Sequence, residues 1–183
     1  VLLLTVVTFV LMRLPTVEDV NHSSEFKRRR VMNWLPLGLT YAFLYMGRYN
    51  LKVSKFAFEE MKDPTGNALM GNDDFGVIFT VGVWVYGSAF LLNGPLTDKF
   101  GGRFAILVGS AGAAFANLCM GLATWSLIHD GPMKDLIVNN FVTLFSVLYG
   151  INMYFQSFGA VAVVKCNAPW FHVRERGVFG AIF

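Results

Sequence analysis

The chain has 183 residues, of which 55% are hydrophobic and 15% are charged, and its formal net charge is +3. A soluble domain of this length usually has about a quarter charged residues, so this composition indicates that lipid is the main solvent. The small, dispersed charge argues against a nucleic-acid-binding protein. Cys119 and Cys166 fall in apolar stretches and match no metal site or disulfide framework. Because no nucleophile elbow, metal-binding spacing or phosphate loop occurs, we expect no enzyme activity, no metal and no cofactor.

The N-terminal residues form a separate segment. The apolar run 1–14 is shorter than the ~20 residues that a membrane helix needs, and it contains Arg13. It lacks the basic start and the cleavage site of a signal peptide. An extra helix, a signal-like segment and an upstream translation artefact remain as alternatives. We assign residues 1–31 to this segment, which includes a basic cytoplasmic stretch, and residues 32–183 to the transmembrane part.

Four stretches are long and apolar enough to cross a membrane, and a fifth begins after Gly177. The four are 34–51, 75–96, 104–128 and 136–164. The chain starts with Val1 and stops within the fifth apolar run, so we interpret it as truncated. The predicted fold class is an all-α membrane protein with four transmembrane helices and the start of a fifth.

Basic residues are concentrated in alternate loops. The loops before the first span, between the second and third spans, and between the fourth and fifth spans are basic. Together they contain Lys27, Arg28, Arg29, Arg30, Lys99, Arg103, Arg174 and Arg176. The other two, 57–74 and 129–135, contain only Lys62 and Lys134 with several acids. The positive-inside rule places the first set in the cytoplasm, so the first span runs outward. The stretch 63–74 is predicted as an exposed loop in which Asn72, Asp73 or Asp74 caps the second helix.

The first span has one polar face. Helical spacing brings together Tyr41, Tyr45, Arg48, Lys52 and Lys55. Arg48 lies roughly 21 Å from the start of the span, at a depth where a charge needs a watery cavity or a partner. We predict that Arg48, Tyr45, Tyr41 and Lys52 bind a small anionic substrate. The alternatives are a structural ion pair of Arg48 with an acid in the missing half of the protein, and snorkelling of both lysines to the outer interface.

The string "GPLTDKFGGRFAIL" at 94–107 ends one span, turns tightly and starts the next. Gly94 is expected to let two helices approach closely, and Asp98 lies within reach of basic groups. The string resembles the G-x-x-x-D-[RK]-x-G-[RK]-[RK] signature of the major facilitator superfamily, although Gly102 occupies one basic position. The matching residues are Gly94, Asp98, Lys99, Gly101 and Arg103. In that family the motif acts as a conformational latch.

The string "FQSFGAVAVVKCNAPWFHVRERG" at 155–177 resembles the organophosphate:phosphate antiporter branch of that superfamily, as do "MGRYN", "DDFGVIF" and "VYGSAF". The branch includes glycerol-3-phosphate and hexose-phosphate exchangers. The resemblance implies the N-terminal helical bundle of the superfamily fold, a missing C-terminal bundle, and a multi-pass protein of the bacterial inner membrane. It adds Glu175 and Arg176 to the gating residues. It also implies that Arg48 is one of two arginines that grip phosphate, the second lying in the seventh helix.

The resemblance implies a secondary active transporter that exchanges an organophosphate ester for inorganic phosphate by alternating access. One departure is Phe90, which replaces a lysine of the glycerol-3-phosphate type. The alternatives are a transporter-like membrane sensor of a sugar phosphate and a proton-coupled symporter of a carboxylate or sugar. Asn152 and Gln156 are expected either to line the cavity or to hydrogen-bond between helices. Tyr86 and Asn93 are further candidates for the cavity wall.

Overall fold

The computed structural model describes residues 23–172, together with Thr5, Val6, Phe9 and Arg176. The helices of this part are α1 (Ser24–Glu60), α2 (Asn72–Phe100), α3 (Gly102–Ile128), α4 (Lys134–Asn139) and α5 (Phe141–Asn167), and a 3-10 turn at Ala168–Trp170 follows. No β-strand occurs among the described residues, which contain only the isolated bridge between Lys62 and Ala68. The predicted all-α class is confirmed.

Three of the described helices are long and apolar enough to cross a membrane, namely α2, α3 and α5 with its 3-10 extension. In their most apolar windows, 17% of α2, 33% of α3 and 56% of α5 is buried within the protein. Helix α5 is therefore the central helix, and it packs against α1, α2 and α3. The outer helices expose large apolar side chains such as Trp84, Leu91 and Leu107, as expected for surfaces that face lipid. The chain is an integral, multi-pass membrane protein.

Helix α1 is longer than the predicted span 34–51, because it already begins at Ser24. The Ser23 hydroxyl accepts a hydrogen bond from the N–H of Phe26 at 3.2 Å, which caps the helix. The basic stretch at 26–30 therefore lies in the first turns of α1, and its assignment to a loop was wrong. Arg30 is buried there, with its guanidinium carbon 5.0 Å from the ring centre of Phe171. Helix α1 is not among the three helices that are apolar enough to cross a membrane, and its first turns are charged. That α1 crosses the membrane therefore stays a prediction.

The predicted fourth span at 136–164 is interrupted. Helix α4 ends at Asn139, and α5 begins anew at Phe141 after Asn140. Helix α5 extends to Asn167, three residues beyond the C-terminal end that the hydropathy pattern predicted.

The connection between α1 and α2 is only partly exposed. Its first half is an exposed turn in which the Asp63 carboxylate accepts from the backbone N–H groups of Thr65 and Asn67. In its second half Leu69 and Met70 are buried, at 7% and 0% exposure, so the prediction of an exposed loop throughout 63–74 was wrong.

Among the three candidates for the cap of α2, Asp74 is the residue that caps. Its carboxylate accepts from the N–H of Gly71 at 2.8 Å. The side chain of Asn72 is used differently, because its oxygen accepts from the Lys55 ammonium of α1. This contact ties the end of α1 to the start of α2.

Close helix contacts occur at glycines of α2 and α3 that face α5. A Cβ atom at Gly82 would lie 2.3 Å from the Tyr149 ring, and one at Gly112 would lie 2.2 Å from the Phe155 ring. The close approach predicted at Gly94 was wrong for the described part of the chain, since no atom there lies within 4 Å of such a Cβ. Because Gly82 and Gly112 have no side chain, α5 has the space for its aromatic rings Tyr149 and Phe155.

The two ends of the bundle differ as the alternating loops predicted. At the basic end, Asn33 of α1 donates to Asn167 of α5 at 3.5 Å, and the Phe26 and Trp170 rings lie 5.5 Å apart. At the opposite end, the α1–α2 connection and the residues around Asn139 share a cavity of about 340 Å³. The side of the membrane on which each end lies stays a prediction.

Candidate functional site

Arg48 lies where three helices meet. Its Nε–H donates to Oε1 of Gln156 on α5 at 2.9 Å. Its guanidinium carbon also lies 4.8 Å from the ring centre of Tyr45 on α1 and 4.5 Å from that of Tyr86 on α2. Both distances are in the range of cation–π attraction. The arginine is therefore oriented by two aromatic rings and one amide.

The amide that contacts Arg48 is part of a hydrogen-bonded series. Gln156 Nε2 donates to Oδ1 of Asn152 at 2.5 Å, and Asn152 Nδ2 donates to the carbonyl oxygen of Ala113 on α3 at 3.2 Å. Because a guanidinium has only donors, Gln156 must turn its oxygen towards Arg48 and its nitrogen towards Asn152. The two amides are almost fully buried, at 0% exposure for Asn152 and 2% for Gln156. Of the two interpretations offered by the sequence, hydrogen bonding between helices is confirmed.

The terminal nitrogens of Arg48 remain available. Among the described residues, neither Nη atom has a hydrogen-bond acceptor, and no carboxylate forms an ion pair with the guanidinium. The structural alternative, an ion pair with an acid in the missing half of the protein, stays a prediction. Two parallel N–H donors in a rigid plane match two oxygens of a phosphoryl or carboxylate group.

The two tyrosines predicted to accompany Arg48 do lie beside it. The rings of Tyr41 and Tyr45 meet edge to face, with centres 5.1 Å apart and planes at 74°. Tyr41 reaches α5 at Gly159, where a Cβ atom would lie 3.2 Å from its Cε2. We call Arg48, Tyr41, Tyr45, Tyr86 and Gln156 the arginine cluster.

The structure does not bring the lysines of the predicted polar face into the arginine cluster. Lys52 is exposed, and its Nζ lies 5.8 Å from the ring centre of Tyr49 on the same helix. Lys55 contacts the start of α2, with its Nζ 5.6 Å from the ring centre of Phe75. Both lysines continue the face of the helix beyond the cluster, towards the end of the bundle opposite to the basic residues.

Phe90 and Asn93 of α2 have different surroundings. The Phe90 ring is 41% exposed, with its centre 6.3 Å from that of Tyr86, so the turn beyond Tyr86 is apolar. Asn93 is fully buried and donates to Ser157 Oγ at 2.6 Å and to the carbonyl of Tyr154 at 3.3 Å. Its assignment to the cavity wall was wrong, because it connects α2 to α5.

One residue near the cluster was not singled out from the sequence. Asn117 of α3 accepts from Asn50 Nδ2 at 3.3 Å and donates to the Ala113 carbonyl at 2.9 Å. That carbonyl also accepts from Asn152, so polar side chains of α1, α3 and α5 converge on one helical turn. A signal was present, since an amide in an otherwise apolar membrane helix usually hydrogen-bonds to a neighbouring helix.

The predicted gating residues that the structure describes lie at the basic end of the bundle. Gly101 is the single residue between α2 and α3, and its φ of +89° is one that residues with a Cβ rarely adopt. Asp98 forms an ion pair with Lys165 at the end of α5, which confirms that a basic group is within its reach. Lys99 lies over the ring of its neighbour Phe100.

Arg176 donates from Nη2 to the carbonyl of Ala168 at 3.0 Å and from Nε to that of Phe171 at 3.3 Å. Glu175 lies outside the described residues. The latch function of these residues stays a prediction.

Three curated relatives match about nine tenths of the chain. The membrane sensor protein UhpC of Escherichia coli is 20% identical over 167 residues, which are 90% of this chain and 32% of that protein. The glycerol-3-phosphate transporter of Bacillus subtilis is 22% identical over 161 residues, which are 88% of this chain and 32% of that protein. A probable hexose phosphate transport protein of Chlamydia trachomatis is 24% identical over 161 residues, which are 87% of this chain and 30% of that protein.

The chain thus spans about a third of the length of these relatives. No family model matches the chain, and no solved structure matches it significantly. The relatives confirm the resemblance to the organophosphate transporter branch of the major facilitator superfamily. Their names describe transporters and a sensor and no enzyme, which agrees with the prediction from the sequence.

Proposed function

We propose that the chain forms the N-terminal bundle of a secondary active transporter. This transporter carries a small organophosphate ester across the bacterial inner membrane in exchange for inorganic phosphate. The observation that carries the proposal is the guanidinium of Arg48, which is fixed by Gln156 and two aromatic rings while its terminal nitrogens stay unoccupied among the described residues. The names of two relatives, a glycerol-3-phosphate transporter and a probable hexose phosphate transport protein, support the substrate class.

The arginine cluster suits a phosphoryl group for two reasons. A guanidinium binds two phosphoryl oxygens through parallel charge-assisted hydrogen bonds, and it keeps its charge at every physiological pH. Tyr45 and Tyr86 flank the guanidinium and add hydroxyl groups close to it, which suit the polyol part of an ester. In this proposal Lys52 adds a positive charge at the approach to the site rather than a direct contact.

The arrangement of helices also suits alternating access. Arg48, Tyr86 and Gln156 come from α1, α2 and α5, so tilting of the bundle carries the site as one unit. At the basic end, the Asp98–Lys165 ion pair joins the α2–α3 turn to α5, close to Arg103. We propose that these residues hold that face closed in one state, while a second bundle supplies the opposite wall and a second arginine.

A second candidate function is a membrane sensor that binds a sugar phosphate at Arg48 without transporting it. It is favoured by one observation, the similarity to UhpC, whose name is that of a membrane sensor. Binding at Arg48 is common to both functions. Net transport distinguishes them, and a histidine kinase gene beside the gene of this chain would favour the sensor.

The test uses the full-length protein in proteoliposomes loaded with inorganic phosphate, with uptake of labelled glycerol 3-phosphate as the readout. We expect Arg48→Ala to abolish uptake and Arg48→Lys, which keeps the charge without the planar fork, to reduce it strongly. Lys55→Gln is the matched control, because it removes a cation from the same helix but outside the arginine cluster, and it should transport normally.

Each contrary result has its own meaning. Unchanged uptake by Arg48→Ala would show that this arginine is not the binding residue. Binding of the ester without any uptake would favour the sensor. Uptake that needs a proton gradient but no internal phosphate would favour the proton-coupled symporter.

A further inference from the structure

A second cavity lies at the basic end of the bundle and shares no lining residue with the arginine cluster. Its volume is about 450 Å³. It lies between the start of α1, the start of α3 and the end of α5 with its 3-10 turn, and its lining includes Phe26, Asn33, Gly102, Arg103, Lys165 and Trp170. The size is within the range of pockets that hold small ligands.

The described residues that line this cavity carry close to a single uncompensated positive charge. Lys165 is already compensated by its ion pair with Asp98. Arg103 is exposed and makes no hydrogen bond or ion pair with any of the described residues. No acidic side chain is among the described residues that line the cavity. Among the described residues that line the cavity, the guanidinium of Arg103 is therefore the one uncompensated charge.

The backbone adds to this positive potential. Arg103 lies in the first turn of α3, which is 27 residues long and has no side-chain cap at its start. The first N–H groups of a helix have no acceptor within the helix, and its dipole attracts anions to that end. Gly102 also lines the cavity, next to Cys166, whose Sγ would be 2.8 Å from a Cβ atom at position 102. Glycine at this position therefore lets the start of α3 pack closely against the end of α5, which brings Arg103 and Lys165 to the same cavity.

Apart from Asn33, the rest of the wall is aromatic and apolar. The rings of Phe26 and Trp170 lie 5.5 Å apart at an angle of 35°, beside Pro169. The cavity lies at the ends of three membrane-length helices, where α2 turns into α3 and where α5 ends. Tryptophan beside basic groups is typical of the boundary between the hydrocarbon and the headgroup region.

We propose that this cavity binds the headgroup of an anionic phospholipid. The phosphodiester lies against Arg103 and the start of α3, and the glycerol and first acyl carbons lie against Phe26 and Trp170. The single charge of a phosphodiester matches the single uncompensated cation. A phosphomonoester, with about −1.5 to −2 charges at neutral pH, would exceed it. The lipid thus holds together α1, α3 and α5, and it lies beside Lys165, the ion-pair partner of Asp98.

The test uses native mass spectrometry of the full-length protein in detergent, titrated with dioleoylphosphatidylglycerol or with zwitterionic dioleoylphosphatidylcholine. We expect one tightly bound phosphatidylglycerol and no comparable phosphatidylcholine. Arg103→Gln should raise the half-saturating concentration of phosphatidylglycerol about tenfold, as expected for the loss of a charge-assisted contact. Lys99→Gln is the matched control, because it removes a charge from the same turn but outside the cavity, and it should change that concentration less than about twofold.

Further arms make the test decisive. Trp170→Leu should weaken retention of the lipid while Arg103 is intact, and circular dichroism should confirm that each variant folds. Equal binding of both lipids, an unchanged affinity in Arg103→Gln, or an equal loss in Lys99→Gln would overturn the proposal. Inorganic phosphate that displaces the lipid at micromolar concentration would identify a soluble phosphate as the ligand instead. Since none of these readouts depends on transport, failure here leaves the role of Arg48 untouched.

Discussion

Arg48 and Gln156, 108 positions apart in the sequence, are joined by a hydrogen bond of 2.9 Å from the arginine Nε to the glutamine Oε1. This bond uses the one guanidinium nitrogen that does not belong to the terminal fork. The fork is therefore oriented by α5, and within the described part of the chain no acceptor occupies either Nη atom. Gln156 is in turn fixed by Asn152, so the position of the arginine depends on a buried series that ends at the backbone of α3.

Replacement of Gln156 by Glu tests this arrangement. A carboxylate at that position would pair with Arg48 and neutralise the charge that the phosphoryl group needs. We expect the affinity for glycerol 3-phosphate to fall at least about tenfold, measured by equilibrium binding to the purified protein. Asn139→Asp is the control, since it makes the same chemical change at an exposed position in the short helix α4. Undiminished binding in Gln156→Glu would show that Arg48 does not contact the ligand.

The sequence was sufficient to predict the parts of the fold that depend on local pattern. Hydropathy located α2 and α3 to within a few residues, and helical spacing placed Tyr41 and Tyr45 beside Arg48. Hydropathy could not show that α1 begins at Ser24, ten residues before the predicted start at residue 34. The residues between are too polar for a membrane span, and the helix there is stabilised by the cap at Ser23 and by the contact of Arg30 with Phe171.

Contacts between distant helices were beyond such reasoning. Lys52 has the right helical phase, but the helix carries it one turn beyond Arg48, to the ring of Tyr49. Gly94 and Asn93 were misjudged for the same reason, since only the packing of α5 decides which side of α2 is buried. The close contacts occur at Gly82 and Gly112, where the sequence shows nothing more than small residues in apolar helices.

Gly112 is expected to be intolerant of a methyl group. A Cβ atom there would lie 2.2 Å from the Phe155 ring, so α3 and α5 would have to separate in Gly112→Ala. We expect a loss of stability of about 1–3 kcal/mol, seen as a lower melting temperature in detergent. Gly121→Ala on the same helix is the control, because no described atom lies within 4 Å of its Cβ position. That variant should be neutral or up to about 1 kcal/mol more stable, owing to the better helix propensity of Ala. Equal melting temperatures for the two variants would contradict the observed packing of α3 against α5.

The turn after α1 is expected to depend on the ionised form of Asp63. Hydrogen bonds from the Thr65 hydroxyl and from neighbouring backbone N–H groups hold the pKa of this exposed carboxyl below its ordinary value of 3.8. Because the folded pKa is depressed, the contribution of the turn is fully present above the unfolded pKa and is lost as pH falls through the folded pKa. The amide proton of Thr65, which donates to Asp63 at 2.9 Å, reports this titration by NMR.

We expect the midpoint of that titration to lie below about pH 3.8, and we expect the titration step to vanish in Asp63→Asn. A midpoint at or above the ordinary value would show that the turn does not stabilise the carboxylate.

The ion pair between Asp98 and Lys165 is expected to affect transport more than stability. Its side chains are 61% and 43% exposed, so solvent screens the attraction, and the loss in Asp98→Asn should stay below about 1 kcal/mol. If the pair closes the basic end of the bundle, however, both Asp98→Asn and Lys165→Gln should change the exchange rate in proteoliposomes severalfold. The exchanged pair Asp98→Lys with Lys165→Asp should recover part of that rate, because the attraction between α2 and α5 is restored. Exchange that is unaffected by the single variants, or that falls only as the melting temperature falls, would assign the pair to folding and remove it from the latch.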